Sequence, residues 1–135
     1  MDIAESLNKL SLIYKDIGQL SNSFKYAYKS IEMNKEILGD HLIVANQYNN
    51  VGMLYCNSGK LDKAITNLQN CLEIQMQING GSSYNVALCL NNIGYVFLRK
   101  GEYDEALKNL NKALEIYKLQ KQRIEEAKKT VQKSE

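Results

Sequence analysis

One histidine, His41, and three cysteines, Cys56, Cys71 and Cys89, are the side chains in this 135-residue sequence best suited to proton transfer, nucleophilic attack or metal ligation. His41 closes the stretch Leu38-Gly39-Asp40-His41, which reads as a turn, and no second histidine can join it. A loop role is therefore expected for it rather than a catalytic or metal-binding one. The cysteines lie fifteen and eighteen residues apart with no C-x-x-C pair, a poor zinc site and a poor disulfide framework. Cys71 and Cys89 read better as small buried hydrophobes. No Ser/His/Asp arrangement, no H-E-x-x-H and no phosphate loop is found. Gly80-Gly81-Ser82-Ser83 is a turn, because no strand precedes it and no lysine follows. The expectation is a protein with no catalytic residue, no metal and no cofactor.

Composition narrows the class further. Apolar residues make up 44% and charged residues 24%, with a net charge of +2, as in ordinary globular chains. The pI of about 8.3 lacks the clustered basic excess of a nucleic-acid binder, for which a value above about 9 is expected. No apolar run approaches the roughly 18 residues of a membrane span. The start, Met1-Asp2-Ile3-Ala4-Glu5, carries acids where a signal peptide would be basic. These features predict a single domain in the cytoplasm, with neither nucleic acid nor membrane as partner. The departures from average are the absence of proline and tryptophan and an excess of asparagine, fifteen in all.

Self-comparison shows what elements carry these residues. Val44 to Ile74 matches Val86 to Ile116 at a constant shift of 42, pairing Asn49 with Asn91, Asn50 with Asn92, Gly52 with Gly94 and Gly59 with Gly101. A weaker copy begins at Ile3 with a shift of 41, aligning Asn8 with Asn49 and Gly18 with Gly59. Each copy reads as two helices. Tyr48, Val51, Gly52 and Tyr55 form one helical stripe, as do Leu90, Ile93, Gly94 and Phe97, and Leu7, Leu10, Ser11 and Tyr14. The second helices repeat it with Ala64, Leu68, Cys71 and Leu72, then Ala106, Leu110, Ala113 and Leu114. Gly18, Gly59 and Gly101 fall between the two helices, where a left-handed residue ends the first. Asp62 and Asp104 fall near the start of the second, at the positive end of its dipole. Gly52 and Gly94 sit inside helices, where glycine costs about 1 kcal/mol relative to alanine. Close approach to Ala64 and Ala106 of the paired helix explains them.

The slots Leu90, Ile93-Gly94, Phe97, Gly101, Tyr103, Ala106, Leu110 and Ala113 resemble the tetratricopeptide repeat pattern. Tyr48, Val51-Gly52, Tyr55, Gly59, Leu61, Ala64, Leu68 and Cys71 repeat it, and Ser11, Ser23 and Ser30 hold the small-residue slots of the first copy. The 42-residue period exceeds the usual 34 by about two helical turns. With Leu90-Asn91-Asn92 and Leu38-Gly39-Asp40-His41, it is similar to the kinesin-light-chain-like subclass, with Leu42 where that subclass has proline. The resemblance implies an all-α solenoid, an α-α superhelix of three helix-turn-helix repeats at about 3–43, 44–85 and 86–120. These form a repeat domain over 1–120, and residues 121–135 continue as a long C-terminal helix that is either cap or extension.

It also implies a concave groove lined by the first helix of each repeat. On the face opposite each core stripe this places Asn8, Leu12, Asn49, Asn50, Met53, Cys56, Asn57, Asn91, Asn92, Tyr95, Leu98 and Arg99. Asparagine offers both a donor and an acceptor, so it can pair with a peptide backbone of any sequence. Leu12, Met53, Tyr95 and Leu98 offer adaptable apolar contacts, and Arg99 is expected as a solvated rim charge. Asn67 and Asn109 fall on convex positions and read as polar filler. Between Ala64 and Leu98 the sole formal charge is Glu73, so a strongly acidic ligand is disfavoured. The implied function is a non-catalytic protein–protein interaction scaffold that holds a partner's peptide in its groove.

A second reading stays open, a structural module that self-associates through its edges or its last helix. Tyr103, Leu110, Tyr117, Ile124 and Val131 fall at seven-residue spacing, but the companion positions run Leu107, Leu114, Lys121 and Lys128. That pattern fits either a helical cap or a weak seam between copies. Membership of a longer array, with flanking repeats completing the groove, is open as well.

Overall fold

A computed structural model describes residues 3–134. Met1, Asp2 and Glu135, which the expected boundaries and the leader reading include, lie outside them. The described residues form six helices: α1 (Ile3–Asp16), α2 (Leu20–Leu38), α3 (Leu42–Asn57), α4 (Leu61–Asn79), α5 (Tyr84–Lys100) and α6 (Tyr103–Ser134). The breaks fall where the repeat pattern placed them. Gly18, Gly59 and Gly101 take φ of 81°, 80° and 82°, a backbone conformation in which any side chain would be strained. The inter-repeat turns stop on Gly39 and Gly80 and restart on side-chain caps. His41 Nδ1 accepts the Ile43 N–H at 3.1 Å, and Ser83 Oγ accepts the Val86 N–H at 3.2 Å. The expected loop histidine is thus the N-cap of α3, meeting a donor that the helix itself leaves open.

The helices pair within repeats as α1 with α2, α3 with α4 and α5 with α6. Between repeats, α3 lies on α2 and α5 on α4. Within the second and third pairs the mid-helix glycines set the spacing. A Cβ on Gly52 would meet Leu68 Cγ at 2.8 Å and the Ala64 carbonyl at 3.2 Å; on Gly94 it would meet Leu110 Cγ at 2.6 Å. The close approach is therefore to a leucine side chain as well as to the alanine backbone. In the first pair serines take these slots and the contact becomes polar. Ser11 Oγ donates to the Ser23 carbonyl at 2.7 Å, and Ser23 Oγ donates to the Ser11 carbonyl at 2.9 Å. Each hydroxyl is buried and satisfied, so the repeat keeps its spacing without glycine.

One core runs through the first two repeats into the third. Phe24 stacks on Tyr55 with centroids 3.9 Å apart, while Leu68, Cys71 and Cys89 fill the α4–α5 joint. Polar groups inside it are paired. Ser30 Oγ donates to the Ala4 carbonyl at 2.7 Å and accepts from Gln47 Nε2 at 2.8 Å, linking three helices. Ser30→Ala is expected to lower stability by about 1 kcal/mol, read as a lower urea midpoint at unchanged slope. Asn67, expected as convex filler, is buried: it donates to the Lys63 carbonyl and accepts from the Tyr28 hydroxyl. The half-buried Asn109 at its equivalent position bonds to the Glu105 carbonyl alone.

Two expected core positions are open. Leu10 on α1 and Leu114 on α6 are exposed because, among the described residues, no helix covers the outer side of either. The last helix runs 32 residues against 19 for α4, and residues 121–134 are exposed throughout. No helix is long and apolar enough to cross a membrane among the described residues.

Candidate functional site

Helices α1 and α3 diverge on one side of the stack and leave an open cleft of about 360 Å³. Five of the groove residues expected from sequence meet there: Asn8 and Leu12 from α1, and Asn50, Met53 and Asn57 from α3. Lys15 stands at one margin, while Ser11, Ser23, Ala27 and Val51 form the floor. The helical period explains the convergence, since positions three, four and seven apart share a face. The amides of Asn8, Asn50 and Asn57 make no hydrogen bond among the described residues. Sequence reasoning missed Gln47 and Leu54, which also line the cleft. Gln47 lies three residues before Asn50, and that spacing was the available signal.

The remaining positions lie on α3 and α5. Repeat equivalence places Leu12, Met53 and Tyr95 in one apolar row and Asn8, Asn49 and Asn91 in a polar row beside it. Tyr95 and Leu98 are exposed, as is Asn91. Asn49 and Asn92 are partly committed to each other: Asn92 Nδ2 donates to Asn49 Oδ1 at 2.9 Å across the α3–α5 gap. Each retains half of its amide for a ligand.

Arg99 is more than a rim charge. Its Nη1 donates to the Cys56 carbonyl at 2.7 Å and lies 3.3 Å from Cys56 Sγ. It therefore clasps α5 to the C-terminal end of α3, where carbonyls lack helical partners. Cys56 itself, assigned to the groove face by its spacing, is fully buried. Cys71 Sγ and Cys89 Sγ lie 3.3 Å apart as free thiols. Their shared hydrogen bond, and then burial, push the Cys71 thiol well above its ordinary range. With all three cysteines buried, alkylation of the native protein should leave every thiol unmodified and denaturation should expose all three, counted by intact mass.

Three stacked helix pairs, with an open cleft between the first helices of the first two, define an α-α solenoid of the repeat type. Tetratricopeptide repeat models match residues 44–118 and residues 3–41. The chain belongs to the tetratricopeptide repeat family, and the match over 3–41 is of the kinesin-light-chain-like type. Among similar solved structures is BtubC (BKLC) from P. vanneervenii, with TM-score 0.79 and 23% identity over 88% of this chain. The chain spans about half of BtubC's length, 48%. The N-terminal domain of stress-induced protein-1 (STI-1) from C. elegans superimposes with TM-score 0.70 at 14% identity, covering 84% of each chain. At these identities the likeness is one of fold. No curated protein sequence matches significantly. Proteins of this family generally mediate protein–protein interactions and are typically non-catalytic.

Proposed function

We propose that the concave face binds a peptide segment of a partner protein, held along the α1–α3 cleft and onto α5. The observation that carries this reading is the α1–α3 cleft, where three uncommitted asparagine amides flank the apolar Leu12 and Met53. Such amides can pair with peptide N–H and C=O groups whatever the ligand sequence, while the apolar row selects its side chains. The half-paired Asn49 and Asn92, with Asn91, Tyr95 and Leu98, extend the track. Arg99 and Asn57 bound its far margin. A mostly uncharged segment fits best, because the chain from Ala64 to Leu98 carries Glu73 as its one formal charge. The reading places the scaffold in the cytoplasm, with no role for nucleic acid or membrane.

The test uses a peptide selected from a displayed library against the wild-type protein. Asn8→Ala combined with Asn50→Ala is expected to weaken its binding about tenfold by calorimetry, at unchanged helical content. Affinity should also vary little between low and high salt, as expected for a groove of weak charge. A double variant that binds as tightly as wild type would remove the asparagine contacts from the mechanism.

A further inference from the structure

The two ends of the stack expose complementary faces of the same joint. Between repeats, a second helix presents apolar residues that the next first helix covers. On α2 these are Phe24 and Ile31, exposed 9% and 2%, and their counterpart of Phe24 on α4 is Ile65, also at 9%. The equivalent positions on α6 are Leu107 and Leu114, exposed 58% and 49%. The covering helices use Val44, Val51 and Leu54 on α3, and Val86, Ile93 and Val96 on α5. Val44 and Val51 share a core with Phe24, Ala27 and Ile31, while Ile93 and Val96 share it with Ile65 and Leu68. On α1 the same spacing holds Ile3, Leu10 and Ile13, and all three are exposed. The chain thus carries an open knob set at one end and an open acceptor face at the other.

We propose that α1 of a second copy docks on α6 as α3 docks on α2 and α5 on α4, so that copies stack head to tail. The occupant is argued from continuity with the two joints already inside the chain: same helix class, same spacing, same residue types. Burial of these leucines and isoleucines away from water supplies the drive. The interface is heterologous, joining two different surfaces, so it does not close on itself and the stack lengthens with concentration. A twofold seam along the outer half of α6 is a poorer occupant, because Lys121 and Lys128 interrupt it beside Ile124 and Val131. In the stack, residues beyond Lys121, the equivalent of Asn79 at the end of α4, run past the docked helix. The joint is separate from the concave groove and does not depend on a ligand there.

Sedimentation velocity on the intact chain, from micromolar to millimolar, tests this. Wild type is expected to grow in mass continuously rather than stop at a dimer. Leu107→Glu with Leu114→Glu blocks the α6 face, and Leu10→Glu with Ile13→Glu blocks the α1 face. Each double variant alone should stay monomeric, its association weakened at least about 30-fold, with helical content confirming the fold. Mixed together, the two should form a one-to-one dimer, since one copy keeps the knobs and the other the acceptor. Ile124→Lys with Val131→Lys should associate like wild type. Three results would each overturn the stack: a wild type monomeric throughout, a mass that saturates at a twofold dimer, or a mixture that stays monomeric. In the first, another protein or a flanking repeat is what covers these ends.

Discussion

Leu68→Ala should unfold well below wild type, with a loss of about 2–5 kcal/mol. Leu68 is fully buried at the meeting of α3 and α4, packed against the bare backbone of Gly52. Its truncation leaves a cavity that rigid neighbouring helices cannot collapse into. For a domain whose total stability is about 5–15 kcal/mol, that is a large share, and a fall in melting temperature of about 10 °C follows. Leu110, at the same slot one repeat on, is half-buried. Leu110→Ala should therefore cost clearly less. Equal losses from the two variants, by urea unfolding followed with circular dichroism, would contradict this account of the packing.

The second large effect is overpacking at Gly52. In isolation, glycine to alanine in a helix gains about 1 kcal/mol. Here the added Cβ meets Leu68 Cγ at 2.8 Å and the Ala64 carbonyl at 3.2 Å. Neither neighbour has anywhere to go, so Gly52→Ala is expected to be net destabilising by about 1–2 kcal/mol, and Gly52→Val by about 3 or more. At Gly94 the nominal clash is tighter, 2.6 Å to Leu110 Cγ, but the Ala106 carbonyl stands at 3.4 Å and Leu110 borders solvent. Gly94→Ala should be close to neutral once that leucine swings outward. The order of effects is thus the reverse of the order of distances. Combining Gly52→Ala with Leu68→Ala should lose less than the sum, because the cavity receives the new methyl. Strict additivity in that cycle would show that the two sites do not share the space.

Much of this architecture can be read from residue order. Glycine recurring at 18, 59 and 101 marks three left-handed turns, and the stripes around Val51 and Ile93 mark buried faces. A helix pair is a local object, and its signals lie within one period. What depends on neighbours across repeats was not legible. Cys56 occupies a groove-face position by its spacing, yet Arg99, 43 residues away in sequence, covers it. Asn67 and Asn109 occupy equivalent positions in successive repeats, but Tyr28 lies over only the first. Leu10 and Leu114 fit the core pattern fully; whether they are buried is decided by a helix that must come from elsewhere. For the groove, periodicity picked out Asn8, Leu12, Asn50, Met53 and Asn57 as one face. It could not foresee that Asn49 and Asn92 would bond to each other.

The order in which helices touch has a mechanical consequence. Apart from a brush between α3 and α5 and the Tyr28–Asn67 hydrogen bond from α2 to α4, each helix packs on just its predecessor and its successor among the described residues. Pulling on the two termini therefore loads the joints in series, as in a zipper, rather than sharing the force across parallel links as a sheet would. Rupture should begin at the outermost helices, each held on one side alone, and advance inward pair by pair. The α3–α4 pair, gripped from both sides, should let go last.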